Sequence, residues 1–441
     1  MASLAAAAPS TDTRLLSRRY RARFLALLLA VSTLTFMDRA VLSAVAQPIK
    51  LELGFTDFQL GLLQGLSFAL LYTTMGIPIG ILAERYRRIV ILAVAITVFS
   101  AATLLCGLAS SFLQLFILRM IVGVGEAGFL APTSSLVGDH YPARQRASAM
   151  SVIMMGSPLG NAAGAMAGGW IADMWSWRTA FVAMGLPGLL VAILLLVLLR
   201  EPPRGLADGA PPERTPPAPF LVVLRSLFAK PAYVHLLLGA TTATFGLIAI
   251  GQFQMLFLVR SHGLSLTSAG FIQGLSVFVA LGAGTLLGGF GSDWAAKYDR
   301  RWSLWLPAVG LAMAVGFYLL GFLSHSLPLS IAGLLFGGMA LILFYSPTYA
   351  MAQNLVGPRM RATAVAVISM CSGVAGSGLG PTWSGFASDR LAAAIGGPNA
   401  SGEGMRYALA SVTIVFLWSA VHYLLAARTL RRDLYVASEA A

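Results

Sequence analysis

The sequence predicts an all-α polytopic membrane protein with twelve transmembrane helices in two pseudo-symmetric six-helix bundles. Three observations predict it. Of 441 residues, 57% are hydrophobic and only 11% charged. The apolar residues gather into runs that can cross a hydrocarbon core, which takes about 20 helical residues. The first half of the chain also recurs in the second.

The runs fall near 23–46, 58–82, 89–110, 112–137, 147–171, 179–199, 232–258, 268–291, 303–324, 328–354, 363–387 and 406–427. The parts are a tail over 1–22, a bundle over 23–199, a linker over 200–231, a bundle over 232–427 and a tail over 428–441. The Ala-, Ser- and Thr-rich start precedes the first arginines and is not itself a long apolar run, so it reads as a tail rather than a signal peptide.

An even number of spans puts both termini on one side. Net charge is +13, but the basic residues are spread over short connections instead of forming one soluble patch, so membrane topology explains them and no nucleic-acid partner is expected. Of 30 Lys and Arg, only Lys50, Arg178, Arg260, Arg390 and Arg406 fall in the odd-numbered connections, and Arg39 and Arg119 lie inside spans. The rest, among them Arg18, Arg19 and Arg21, crowd the tails and even-numbered connections. The positive-inside rule then places both termini in the cytoplasm. Bare loops without large outer domains suit a bacterial inner membrane.

Gln64-Gly65-Leu66-Ser67 in the second span recurs as Gln273-Gly274-Leu275-Ser276 in the eighth, an offset of 209. Thr33, Thr35, Phe36 and Gly80 match Thr242, Thr244, Phe245 and Gly289 at the same offset. Pro132-Thr133, Arg144 and Arg146 match Pro347-Thr348, Arg359 and Arg361 at an offset of 215. Six spans separate equivalent positions, so the halves share one orientation and are related by an axis along the membrane normal, with a substrate site at their interface. The Pro-rich linker between them favours extended chain, with a short amphipathic helix around Phe220–Lys230.

Between the second and third spans runs Gly80-Ile-Leu-Ala-Glu84-Arg85-Tyr86-Arg87-Arg88, mirrored by Gly289-Phe-Gly291-Ser-Asp293. This resembles the GxLaDRxGRR loop of the major facilitator superfamily, with Glu84 in place of Asp and Arg87 in place of the second Gly. The fourth span carries Arg119-Met-Ile-Val-Gly123-Val-Gly125-Glu126-Ala127, which resembles that family's RxxxGxGxA pattern. Asp38-Arg39, VGVGEA with APT at 131–133, and REPPR after the sixth span are similar to the Spinster-like branch. The resemblance implies the major facilitator fold, alternating access, a monomer without cofactor or metal, and a lysolipid or sphingoid phosphate as substrate. It also implies gating by loop contacts that favour an outward-facing state, through Gly80, Glu84, Arg85, Arg88 and Asp293.

Four charges sit where hydrocarbon belongs: Asp38 and Arg39 in the first span, Arg119 and Glu126 in the fourth. Such groups face a cavity, pair with one another and mark a pathway. Asp38 lies about 21 Å in from Phe24 at 1.5 Å per residue, and Arg119 descends from the other face to a similar depth, so the two are level. Glu126 follows two turns deeper on nearly the same face. Arg119 is then able to turn to either acid, with Asp38 and Glu126 as proton carriers; the alternative is a fixed ion network that only ties helices together. Arg39 cannot share the face of Asp38 and is left to a headgroup or a neighbouring helix.

At matched positions of the second half these residues become Leu247, Ile248, Leu334 and Leu341. One charged and one apolar wall fit an amphipathic anion, with Thr133, Thr242, Gln252, Tyr345 and Tyr349 as polar contacts or ordinary packing residues. Gly156, Gly160, Gly164 and Gly168 on the fifth span, and the glycines from Gly282 to Gly291 on the eighth, suit either a sliding seam between the halves or static packing.

Cys106 and Cys371 lie within spans with no CxxC or Cys/His cluster, so neither a disulfide framework nor a metal site is expected. His235 and His422 are isolated, no Ser/His/Asp or HExxH pattern occurs, and no lysine follows the GxxxxG of a P-loop, so neither an intramembrane enzyme nor a nucleotide-driven pump is supported. A drug/proton antiporter, an organic-anion symporter and a receptor without turnover stay open.

Overall fold

The computed structural model describes residues 15–207, 220–357 and 360–434. Residues 1–14 of the expected tail over 1–22, 435–441 of the expected tail over 428–441, the middle of the linker and Arg359 of the repeat lie outside them; helix extends into both expected tails, from Arg18 and to Asp433. Twelve long helices follow in order: α1 Arg18–Ala44, α2 Asp57–Arg85, α3 Arg88–Cys106, α4 Phe112–His140, α5 Ala143–Met154 with Gly156–Met174, and α6 Trp177–Leu198. The second set is α7 Pro231–His262, α8 Leu266–Ala296, α9 Trp302–Leu323, α10 Leu327–Asn354, α11 Thr363–Ile395 and α12 Ala400–Asp433. Eleven are long and apolar enough to span a membrane; the twelfth, α5, is rich in Gly and interrupted at Met155. Short helices Ala46–Leu53 and Phe220–Phe228 lie between them, the latter where the amphipathic linker helix is expected.

Helix starts follow local chemistry. Ser111, Ser176 and Ser265 accept a hydrogen bond from the backbone three residues on, and Thr56 with Gln59 forms a full capping box at the start of α2. Each satisfies donors that a helix N-terminus leaves orphaned, in tight turns that leave no room for a longer loop.

Within the first half α5 packs on α1, α6 on α3, and α4 wedges between α2 and α3. The second half repeats the plan, with α10 on α9 and α12 on α7 and α9. One end of the molecule carries the termini and the linker (the terminal end); the other is the distal end. The halves meet at the distal end, where α2 crosses α11 and α5 crosses α8. Buried apolar residues report the same asymmetry. Phe24, Leu28, Ile96, Leu136 and Leu195, toward the terminal end of the first half, form a core of their own, whereas Val41, Leu60, Cys106 and Phe181 merge with the core of the second half. The structure is therefore closed distally and parted at the terminal end.

Glycines make the closure possible, and of the two readings open for the α5 and α8 rows the structure shows static packing. The α5 row seats on α1, where a Cβ on Gly160 would lie 2.9 Å from Met37 N and one on Gly164 2.8 Å from Ala40 Cβ. In α8, Gly284 and Gly288 press on α10 in the same way. Both rows are static packing inside one half. The seam is made instead by the recurring Gln-Gly-Leu-Ser motif: a Cβ on Gly65 of α2 would stand 2.6 Å from Gly378 O of α11, and one on Gly274 of α8 2.8 Å from Ala162 O of α5. The repeat thus marks two symmetry-related crossings where backbones touch and a side chain has no room.

Candidate functional site

Gly123 and Gly125 set the depth of the charged group, because added Cβ atoms would lie 2.6 Å from Phe68 O of α2 and 2.7 Å from Ala95 O of α3. Without them α4 sinks between both helices and carries Arg119 and Glu126 into the bundle. Arg119 Nη1 donates to Asp38 Oδ2 at 2.9 Å, as expected for level residues. Thr103 of α3 donates to the other carboxylate oxygen of Asp38. All of Asp38, Arg119 and Glu126 are buried.

Glu126 does not pair with Arg119 here; Arg39 Nε donates to its Oε2 at 2.6 Å. This fills the role left open for Arg39, because the turn between residues 38 and 39 aims the two side chains at different parts of α4. The Arg39 guanidinium lies 4.5, 4.8 and 5.3 Å from the rings of Phe68, Tyr72 and Phe36. Arg119 lies 5.9 Å from Phe68, so one ring stands between the two ion pairs. The Arg39 side chain keeps 23% exposure, which makes it the one partly exposed member of the group. Arg119 Nε and Glu126 Oε1 are buried with no hydrogen-bond partner among the described residues. A buried donor and acceptor left unmade are costly, which favours any rearrangement that joins them.

At the matched positions of the second half, Leu334 and Leu341 of α10 are packed into that half's core, while Leu247 and Ile248 of α7 are half-buried. Tyr345 is exposed and its ring packs 5.2 Å from that of Tyr349. The Thr242 hydroxyl donates to Leu238 O at 2.8 Å in its own helix. Thr133 is fully buried, its hydroxyl unpartnered among the described residues. Gln252 sits at the distal seam, its carbonyl accepting from Ser43 Oγ at 2.7 Å.

At the terminal end, Glu84, Arg85 and Asp293 are exposed and make no ion pair or side-chain hydrogen bond among the described residues. Gly80 is half-buried beside Ala131. Arg88 behaves differently: it is buried inside the first half, paired with Asp139 and with Glu201 Oε1, the latter at 2.7 Å, and bonded to Ser135 Oγ at 2.8 Å. It ties the start of α3 to the end of α4 and to the segment after α6.

The distal end holds a cluster that sequence reasoning missed. Asp57, at the start of α2, takes Arg260 Nη1 and Nη2 of α7 at 2.8 and 2.9 Å, Lys50 Nζ at 2.6 Å and Ser388 Oγ of α11 at 2.7 Å. Asp389 of α11 in turn accepts from the backbone N–H of Asp57 and Phe58 at 3.0 and 2.8 Å. Its only sequence signal was an Asp in the first turn after the capping Thr56, where an acidic side chain is ordinarily favoured by the helix dipole. The histidines are also not isolated: His235 Nδ1 of α7 and His422 Nδ1 of α12 are 2.9 Å apart, so one ring donates and the other accepts. No three metal-ligating side chains come together among the described residues.

The sequence profile of the Major Facilitator Superfamily matches residues 28–381. An "MFS-type efflux pump" of Mycolicibacterium smegmatis is 30% identical over 409 residues, covering 92% of this chain and 92% of that protein. "Protein spinster homolog 1" of Xenopus tropicalis is 28% identical over 394 residues, 85% of this chain and 74% of that one. Among solved structures, a bacterial homologue of the human lysosomal transporter Spinster, inward-facing and unoccupied, superposes with a TM-score of 0.87 at 32% identity, covering 96% of this chain and all of the other.

Proposed function

The chain belongs to the major facilitator superfamily, as a transporter related to Spinster homologues and not an enzyme, and from that premise we propose that it moves an amphipathic anionic lipid, such as a lysophospholipid or sphingoid phosphate, by proton-coupled alternating access. It acts as a monomer in a bacterial inner membrane. Both termini lie in the cytoplasm, which makes the terminal end the cytoplasmic opening and the conformation inward-facing. The charge bias of the connections and the likeness to an inward-facing structure support this orientation.

The observation that carries the reading is the pairing of Arg39 with Glu126 beside Asp38–Arg119, with Arg39 alone exposed. An anionic headgroup entering from the open end meets Arg39 first, while an acyl chain lies toward the apolar second half, where Leu247 and Ile248 are half-buried. Drawing Arg39 toward the headgroup weakens its hold on Glu126, and a buried carboxylate stripped of its counter-ion takes up a proton. Arg119 provides the return step: its unpartnered Nε and the free Glu126 Oε1 are on the same helix face two turns apart. Headgroup arrival and proton movement are then one event.

The efflux-pump name of one relative favours a second reading within the family, a drug/proton antiporter; an organic-anion symporter is a third. The test is flux in proteoliposomes, with lysophosphatidylglycerol, a small hydrophilic anion and a cationic dye as alternative cargo, with and without a proton gradient. The lipid reading expects proton-linked flux of the lysolipid alone, lost in Asp38→Asn, Glu126→Gln and Arg119→Ala. Unchanged proton-driven flux in all three variants sinks the coupling scheme, and no flux of any cargo under any gradient favours a receptor.

A further inference from the structure

Arg87, which stands where the family's loop signature has glycine, has no partner for its side chain among the described residues, and it lines two adjoining cavities at once. The first, about 450 Å³ at the terminal surface, is bounded by Arg85, Arg87, Arg88 and Arg204 with Glu201. Glu201 is already committed, since its two oxygens receive Arg88 Nε at 2.7 Å and Ile89 N at 3.0 Å. Arg88 is neutralised by Glu201 and Asp139, and Arg204 donates to Ala83 O at 2.9 Å. Arg85 and Arg87 therefore leave a net positive pocket.

The second cavity, also about 450 Å³, continues from Tyr86 and Arg87 into the membrane-facing side of the first half. It exists because α2 and α3 each pack on α4 and barely touch each other. Leu82 of α2 and Val90 and Val94 of α3 are its exposed walls, and Val124 with Gly125 of α4 is its floor. Val98 marks its inner end, eleven residues from Arg87 along α3, or about 16 Å at 1.5 Å per residue. That is roughly half of a ~30 Å hydrocarbon core, the depth of one leaflet.

A cationic pocket at the interface opening into an apolar groove one leaflet deep has the chemistry of a phospholipid with an anionic headgroup. We infer that this groove between α2, α3 and α4 is a binding site for an anionic phospholipid of the adjoining leaflet, separate from the transport cavity, with the phosphate at Arg85 and Arg87 and one acyl chain along Val90 and Val94. Tyr86, 63% exposed where the cavities join, is the lip over which the chain turns into the groove.

The site is tested by native mass spectrometry of the full chain in detergent, titrated with phosphatidylglycerol or phosphatidylcholine. The first phosphatidylglycerol binds at least fivefold tighter than phosphatidylcholine. Arg87→Gln lowers that preference about fivefold, the worth of about 1 kcal/mol for one basic residue near a headgroup. Val94→Trp, which fills the groove from an exposed position, weakens both lipids. Arg39→Ala leaves the first binding event unchanged, which separates this site from the transport cavity. Equal affinity for the two lipids, an unaltered preference in Arg87→Gln, loss of the first lipid in Arg39→Ala, or its displacement by millimolar inorganic phosphate each overturns the inference.

Discussion

Asp57 and Arg260 join the two halves at the distal end: the carboxylate at the start of α2 receives two guanidinium nitrogens from α7, at 2.8 and 2.9 Å, and is only 1% exposed. Lys50 and Ser388 complete its shell, and Asp389 holds the backbone N–H groups beside it. Every described ion pair between halves lies at this end, so the latch opposes distal opening without hindering the terminal end.

Asp57→Asn leaves the Arg260 guanidinium, 5% exposed, without its anion, a loss of about 3–5 kcal/mol for a broken buried pair, and frees the partly exposed Lys50. Conformers of such proteins differ by only a few kcal/mol, so the variant is expected to populate a distally open state. Spin labels at exposed Leu51 and Ile395, on opposite halves of the distal end, report it as a longer distance in double electron–electron resonance. An unchanged distance with a lower melting temperature makes the pair a structural tie and nothing more.

Two glycine substitutions separate seam from scaffold. Gly270 of α8 presses on the Ala165 carbonyl of α5 across the halves, its added Cβ 3.2 Å from Ala165 C, whereas Gly160 presses on α1 within one half. Gly270→Val is expected to part the distal end while the purified protein stays folded. Gly160→Val has no hinge to relieve it and lowers the yield of folded protein; overpacking of a tight core costs about 1–3 kcal/mol. The readouts are the same spin-label distance and the melting temperature, and a distance change in Gly160→Val alone reverses the assignment.

The fold was legible because span length, charge bias and an internal repeat are all one-dimensional signals. The charged group was legible for a related reason: Asp38 and Glu126 stand out against aliphatic neighbours. The depth argument also placed Asp38 level with Arg119, because rise per residue is fixed. Partner choice was not legible. Helical periodicity says which residues share a face, not which helix that face meets, so the α5 glycines looked equally suited to a seam and to the α1 contact they make. Arg39 looked unpaired because its acid is 87 residues away, and Asp57 looked like any capping-region Asp until α7 and α11 closed over it.

Arg39→Lys keeps the charge but not the flat guanidinium, which packs within 4.5–5.3 Å of three aromatic rings. An ammonium is a compact point charge that cannot stack or offer Nε to Glu126 in the same plane. With cation–π contacts worth about 0.5–2 kcal/mol each, the variant is expected to raise the KM for an anionic amphiphile about tenfold with kcat nearly unchanged. Arg39→Ala, which leaves Glu126 without its partner, is expected to lose proton-linked flux altogether. Equal KM for the wild type and Arg39→Lys removes the ring cage from the binding account.

Thr133 lies on α4 beyond the break at Gly128–Phe129 that follows Glu126, and its hydroxyl is buried with no partner among the described residues. Leaving such a group unmade costs about 1–3 kcal/mol, and valine has nearly the same shape without it. Thr133→Val should therefore raise the melting temperature by roughly 1–3 °C, a small shift because the chain is long. If the hydroxyl bonds the substrate or a neighbour in the opposite conformation, that state loses what this one gains, and maximal flux falls several-fold with KM little altered. Thermal unfolding and transport measured on the same preparation separate the two roles. A lower melting temperature with normal flux shows that the hydroxyl is a packing group satisfied in this conformation and takes Thr133 out of the transport path.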